Sequence, residues 1–393
     1  MARECHGLSF FLLGQQILIC KVDGMYIGKE NNVEKTVLFL AHGGKSVGMG
    51  HVIRCCSLAD AFRLASWKVF FYSKLEIGQQ YIKEQSFSVF PAVTQKESCA
   101  EEFSYGTEEE LRKDCEGIKN LCFKLHPDVI IADSYNVTDW YFKELRKQTK
   151  CLVYIDDVMA FPYDVDVVIN QNIFAKRKDY TALHSRQLFL LGTAYSLIRD
   201  EFCHLPKRTI HEEIRNVMIT TGAADPHNVT LDILQLCNRL EGELRFHVVV
   251  GNAFSHREAL VEYAEKHKEV VLYEQPSKMF AIMLKCDVAI SAGGSTLYEL
   301  AACGTPAMAF LYAENQRQIV EELERQGNVL SLGFYDNMAE NFMKKWEEMK
   351  VYSRRKEMSC QMQKLIDGKG KLRIIEVMEE FLNDETYCQG DNM

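Results

Sequence analysis

Twice along this chain, short apolar runs alternate with amphipathic stretches, and that alternation limits the fold more than any other feature. "TVLFLA" begins at Thr36 and is followed by "HVIRCCSLADAFRLAS", whose apolar residues at 52, 55, 56, 59 and 62 share one helical face. "KVFFYS", "HPDVIIADSY", "CLVYIDD", "DVDVVINQN" and "LFLLGTAY" follow, with polar helical stretches between them. Unbroken apolar strands joined by helices require a parallel sheet covered on both faces. The grammar restarts near residue 214 with "NVMITTG", then "LDILQLCNRLE", and continues through "RFHVVVG", "VVLYEQ", "DVAISAG" and "TPAMAFLY". The expected architecture is α/β, with two Rossmann-like domains whose parallel sheets face each other across a cleft.

The boundaries read from these patterns are an extension over 1–35, a first domain over 36–205 and a second over 206–372. The helix end and polar tail occupy 373–393. "RDEFCHLPKRTIHEEIR" (199–215) is the expected junction, and the last helix is expected at about 369–382. The 393 residues suffice for two cores. The net charge of −9 leaves no basic excess for phosphate backbones, which argues against nucleic-acid binding. None of the 14 cysteines forms a C-x-x-C pair, so no zinc spacing appears. They read as small buried hydrophobes in a reducing cytoplasm. "LSFFLLGQQILIC" is broken at Gly14-Gln15-Gln16 and falls short of the roughly 20 apolar residues that span a bilayer. No membrane insertion is expected, and residues 15–30 read as two short strands around Asp23-Gly24.

Ligands of open α/β sheets bind beyond the carboxyl ends of the strands. The loop "AHGGKSVGMG" follows the first strand and opens a helix. Its Gly48 and Gly50 would let backbone N–H groups approach an anion. Two familiar phosphate motifs fail, because a Walker A loop needs glycine where Phe39 stands and the dinucleotide fingerprint needs glycine at Ile53. His51 falls in the first turn, where the positive end of the helix dipole favours an uncharged imidazole. Such a ring serves either as a general base or as a capping and packing group. In "AISAGGSTLYELAACG" a strand ends at the paired Gly293 and Gly294, and Ser295 or Thr296 caps a helix. Glu299 lies where a capping box needs it, and equally where a carboxylate would meet ribose hydroxyls. "ITTGAADPHN" places Gly222 in a turn, Asp225 at an N-cap and Pro226 at the first helical position. Asp156-Asp157 are expected to bond ligand hydroxyls or a neighbouring loop, and no metal site or cofactor is expected. His227, His247, His256 and Met279 read as ordinary surface or core residues.

"VGMGHVIRCCSLADAF", "ADSYNVTDW", "YIDDV", "DVVINQNIFA", "LGTAYSLIRDEF" and "ISAGGSTLYELAACGTPAMAFLYAENQ" occur in one order. Together they resemble the UDP-sugar hydrolases of pseudaminic acid biosynthesis and the related spore-coat polysaccharide proteins. The resemblance covers about residues 36–335. It implies a GT-B fold and a UDP-sugar in the interdomain cleft, with inverting attack of water at the anomeric carbon of a 2,4-diacetamido-2,4,6-trideoxy hexose. It places the candidate base on His51, with Tyr135 and Asn315 as further catalytic candidates and Gln316 at the substrate. Gly293, Gly294, Ser295 and Thr296 would face the diphosphate, Glu299 the ribose, and Arg54 the sugar or phosphate. The chain departs from the family at Leu40 and His42, where the family commonly carries Arg and Asp. It also has Gly222-Ala223-Ala224-Asp225 in place of G-G-x-D. Three activities follow: a UDP-sugar hydrolase, a GT-B glycosyltransferase with a UDP-sugar donor, or a nucleotide-sugar-binding protein without turnover. A cytoplasmic monomer is expected.

Overall fold

The computed structural model describes residues 34–44, 48–92, 107–203, 205–251 and 253–384. The strand pair expected around Asp23-Gly24 and the tail beyond Asp384 lie outside these residues. Seven strands form the first sheet: β1 (Thr36–Ala41), β2 (Lys68–Ser73), β3 (Ser88–Pro91), β4 (Val129–Asp133), β5 (Cys151–Ile155), β6 (Val167–Asn170) and β7 (Leu188–Leu191). Six form the second: β8 (Asn216–Thr220), β9 (Arg245–Val250), β10 (Val270–Glu274), β11 (Val288–Ala292), β12 (Ala307–Leu311) and β13 (Val329–Phe334). The orders are β3-β2-β1-β4-β5-β6-β7 and β10-β9-β8-β11-β12-β13. Every pairing is parallel.

Each sheet therefore reverses its winding once, between β1 and β4 and between β8 and β11. The loops that leave these four strands open the crevice in which such sheets bind ligands. Strand alternation explains why the apolar runs are continuous. In β1, Val37, Phe39 and Ala41 enter one core, while Leu38 and Leu40 enter the core on the opposite face. β4 divides in the same way, with Ile131 on one face and Ile130 and Ala132 on the other.

Two strands were not foreseen, and both lie on sheet edges. β3 is only "SVFP", with proline tolerated because an edge strand needs no second ladder. β13 is interrupted by Gly333, at φ +84°, and its pairing with β12 shifts register at Ala309/Phe310. The helix expected to start at Pro226 starts instead at Val229, after Asn228 in a left-handed conformation with φ of 57°. Asp225 still caps it, accepting from the backbone N–H of Val229 (2.8 Å) and Thr230 (2.9 Å).

The C-terminal helix (Gly370–Asn383) follows the second sheet in sequence but packs on the first. Ile374, Ile375, Met378 and Phe381 join the core that holds Val37, Phe39 and Phe62. Gly370 is fixed by close approach: a Cβ there would lie 2.4 Å from the backbone N and O of Ser196. Met378 is fully buried, with its sulfur 3.9 Å from Cys151 Sγ. Met378→Ala should cost about 2–5 kcal/mol of stability in chemical unfolding, the usual range for truncating a buried methionine. An unchanged unfolding midpoint would show that this helix is not part of the first core.

Candidate functional site

The helix Gly50–Leu64 starts directly after the loop that leaves β1. Gly48 sits there at φ +74°, a left-handed backbone that glycine adopts without strain, and its carbonyl accepts from Gly44 N–H at 3.1 Å. Gly50 is the first helical residue, with no atom within 4 Å of where a Cβ would be. His51 follows. Its Nδ1 lies 3.4 Å from Asp133 Oδ1, and its side chain is 16% exposed while that of Asp133 is fully buried. The imidazole also meets Tyr135 edge to face, with centroids 4.7 Å apart.

Asp133 ends β4, so sheet geometry delivers a carboxylate to the floor of the loop. A fully buried carboxylate requires compensation. Arg54 supplies it through a two-pronged pair, Nε to Oδ2 at 2.6 Å and Nη2 to Oδ1 at 2.6 Å. Cys55 Sγ adds a contact at 3.3 Å. Burial alone would raise the Asp133 carboxyl, but the Arg54 guanidinium and the nearby His51 hold it below the usual carboxylate range. The third guanidinium nitrogen, Nη1, reaches Asp157 Oδ1 at 2.9 Å. Tyr135 Oη donates to the same carboxylate, at 3.1 Å from Oδ2, and burial followed by the Asp157 charge pushes that phenol well up. Tyr135 therefore stays a neutral phenol.

The network continues into the second half. Asn172 Nδ2 donates to Asp157 Oδ1 at 3.1 Å. Asn172 Oδ1 lies 3.4 Å from the hydroxyl of Tyr298, which also accepts from Ile173 N–H at 3.1 Å. Tyr298 belongs to the helix Thr296–Cys303, immediately after the glycine turn that leaves β11. A continuous chain of contacts thus joins His51 to the first turns of that helix.

His42 lies beside this cluster. Its Nδ1 accepts from Lys74 N–H at 3.3 Å, so the neutral ring carries its proton on Nε2. Burial first, then the Lys74 and His51 charges, push its imidazole down to about 3. The neighbouring Asp156 is spent inside the first half. It accepts from Val158 N–H (3.0 Å) and from the hydroxyls of Tyr163 (2.8 Å) and Tyr180 (2.6 Å). Among the described residues no group of three or more His, Cys, Asp or Glu side chains is placed to hold a metal ion.

In the second half, Gly222 takes φ +99° after β8. The paired glycines after β11 differ from each other. A Cβ on Gly293 would lie 2.5 Å from Val320 Cγ2, so packing of the helix Arg317–Arg325 demands glycine there. Gly294 has only Gln316 Nε2, at 4.0 Å. Gln316 therefore borders the turn, and its Oε1 accepts from Tyr312 N–H at 2.8 Å. Asn315 stands exposed in the single turn Glu314–Gln316.

The capping box expected at this helix is absent. Ser295 is the N-cap but makes no side-chain capping bond, and Thr296 is the first helical residue. Glu299 reaches out of the helix to Arg199, whose Nε and Nη2 both lie 3.0 Å from Oε1. An arginine from the junction outcompetes the helix's own N–H groups because its donors are charged. Burial raises the Glu299 carboxyl, with Arg199 opposing.

These geometries bring together His51, Arg54 and Tyr135 on one side, and Gly293, Gly294 and Gln316 on the other. Asp133, Asn172, Tyr298 and Arg199 complete the network, and the last three were not assigned from sequence. Asp133 and Asn172 do carry a signal, since each is polar at or just beyond the end of an apolar strand.

No family model matches the chain. It is 23% identical over 359 residues to an uncharacterized protein of Methanocaldococcus jannaschii, covering 88% of this chain and 66% of that protein's length. It is 25% identical over 356 residues to the spore coat polysaccharide biosynthesis protein SpsG of Bacillus subtilis, covering 88% and 98%. It is 22% identical over 294 residues to the UDP-2,4-diacetamido-2,4,6-trideoxy-beta-L-altropyranose hydrolase of Campylobacter jejuni, covering 74% and 97%. Among solved structures it superposes on MurG of Acinetobacter baumannii with a TM-score of 0.64 at 13% identity, covering 88% and 99%. The UDP-GlcNAc 2-epimerase of Neisseria meningitidis bound to UDP-GlcNAc matches with a TM-score of 0.56 at 13% identity, covering 88% and 100%. The fold is GT-B. The chain resembles the hydrolase and spore-coat proteins in sequence over most of its length. No helix of the described residues is long and apolar enough to cross a membrane.

The unequal glycines give a direct test. Gly293→Ala should lower stability by about 1–3 kcal/mol, the usual cost of overpacking a filled site. Gly294→Ala should leave the melting temperature in place. Equal effects from the two substitutions would overturn the packing assignment.

Proposed function

We propose that this GT-B protein hydrolyses a UDP-sugar, with a deoxy-amino sugar of the 2,4-diacetamido type as the substrate class. The observation that carries the reading is His51. It is a solvent-touching imidazole at the head of a helix beyond β1, its Nδ1 faced by a buried carboxylate, and contacts connect it to the opposite half. A carboxylate at Nδ1 orients the ring and stabilises the imidazolium that forms when Nε2 takes a proton. In the proposed step a water oxygen bonds to the anomeric carbon as the bond from that carbon to the UDP oxygen breaks. His51 takes the water proton, and UDP leaves with the electron pair. The backbone turn at Gly294 and the start of the helix Thr296–Cys303 would receive the diphosphate charge. Asn315 and Gln316 would border the sugar. Glu299 would meet the ribose alongside Arg199.

Support comes from the sequence likeness to the Campylobacter jejuni hydrolase and from a structural neighbour that holds UDP-GlcNAc. The second reading, transfer of the sugar to an acceptor hydroxyl, is supported by solved structures of the same fold that include the calicheamicin glycosyltransferase CalG4. His51 would then deprotonate the acceptor. In surface-glycan or nonulosonic acid assembly either activity would serve.

Incubation with a panel of UDP-sugars and no acceptor separates the two. Hydrolysis predicts free sugar and UDP in equal amounts, and His51→Ala should lower that turnover about 10²-fold or more while UDP affinity stays within about 2-fold. UDP release that appears only when an acceptor is added would replace the hydrolase with a transferase. Undiminished turnover in the variant would remove His51 as the base.

A further inference from the structure

The Arg54 guanidinium is committed on all three of its nitrogens. Nε and Nη2 hold Asp133 at 2.6 Å each, and Nη1 holds Asp157 at 2.9 Å. The side chain is 12% exposed, and each carboxylate it holds faces a different site group. Asp133 faces His51 Nδ1 at 3.4 Å, and Asp157 accepts from Tyr135 Oη at 3.1 Å. We propose that Arg54 is a positioning residue that fixes His51 and Tyr135 through two carboxylates, and that it does not bind the substrate's phosphates.

Charge and shape both lead there. One guanidinium between two carboxylates leaves the trio with a formal charge of about −1. A trio of that sign repels a diphosphate. It also offsets the positive charge that appears on His51 when the imidazole takes a proton, so the cluster moves toward neutrality during the reaction. Only a planar fork can grip one carboxylate with two prongs and a second with the remaining nitrogen, because an ammonium has no such fixed geometry. Asp157 carries the arrangement onward through Asn172 to Tyr298, so the same guanidinium ties the orientation of His51 to the seat of the helix Thr296–Cys303. The catalytic part of this inference rests on the hydrolase reading, and the orientation of His51 does not.

The test uses the full chain with Arg54→Ala and Arg54→Lys, each first checked for a cooperative thermal transition. Arg54→Lys keeps a cation among the carboxylates and serves where the alanine variant does not fold. UDP affinity is read by calorimetry, kcat and KM by UDP release, and the tautomer of His51 by 15N-imidazole NMR. The His51 signals are assigned by their loss in His51→Ala. Positioning predicts UDP affinity within about 2-fold of the parent protein, kcat lowered about 10²-fold with KM nearly unchanged, and partial recovery of the alanine variant by added guanidinium ion. It also predicts that His51 carries its proton on Nδ1 in the parent protein and loses that preference in both variants. UDP affinity weakened about 10-fold or more with kcat retained would make Arg54 a phosphate ligand and overturn the proposal. If the parent protein releases UDP from no sugar nucleotide, the hydrolase reading falls by itself. The positioning role is then decided by the spectrum, where an unaltered His51 tautomer in the variants overturns it.

Discussion

The buried pair between Asp133 and Arg54 is the interaction on which the site depends. A carboxylate with no solvent exposure is tolerable only with a partner of opposite charge and matched geometry. Sheet topology forces this carboxylate to the end of β4, and the first helix brings the guanidinium to it from one turn beyond the β1 loop. Once that pair forms, His51 has its Nδ1 neighbour and Asp157 has a cation. The polar chain then runs on through Asn172 to Tyr298. Removing either partner leaves an uncompensated buried charge, which costs far more than an ordinary hydrogen bond.

Much of the architecture was legible because the strands are buried on both faces. A run such as "TVLFLA" has no polar alternative, and its position before a glycine-rich loop announces both strand and turn. Of the four edge strands, β7 and β10 keep apolar runs and were legible, while β3 and β13 were not. An edge strand is half solvated, so β3 and β13 carry serine, proline and glycine where a central strand carries valine and isoleucine. Local geometry was legible where the backbone dictates it, as at the turn of Gly48 and the first helical turn that carries His51. It was not legible where partners come from distant loops. Glu299 satisfies the spacing rule for a capping box, yet a charged donor from residue 199 takes it instead, and no local pattern contains that information. Gly293 shows the converse. It looks like a ligand-approach glycine in sequence, and its reason in the fold is the methyl group of Val320.

His42 gives the loop after β1 a character of its own. Here burial and Lys74 keep the imidazole neutral, and Lys74 N–H occupies Nδ1, so the group offers a donor at Nε2.

The last described helix makes the polypeptide cross between its two lobes a second time. A single cut near the junction would therefore not release the first lobe intact, because the amino-terminal piece would lack the face that Ile374, Met378 and Phe381 cover. Chimaeras that exchange the first lobe for that of a relative must carry residues 370–383 together with it. The unit of inheritance in this architecture is discontinuous in sequence, even though each lobe is contiguous in space.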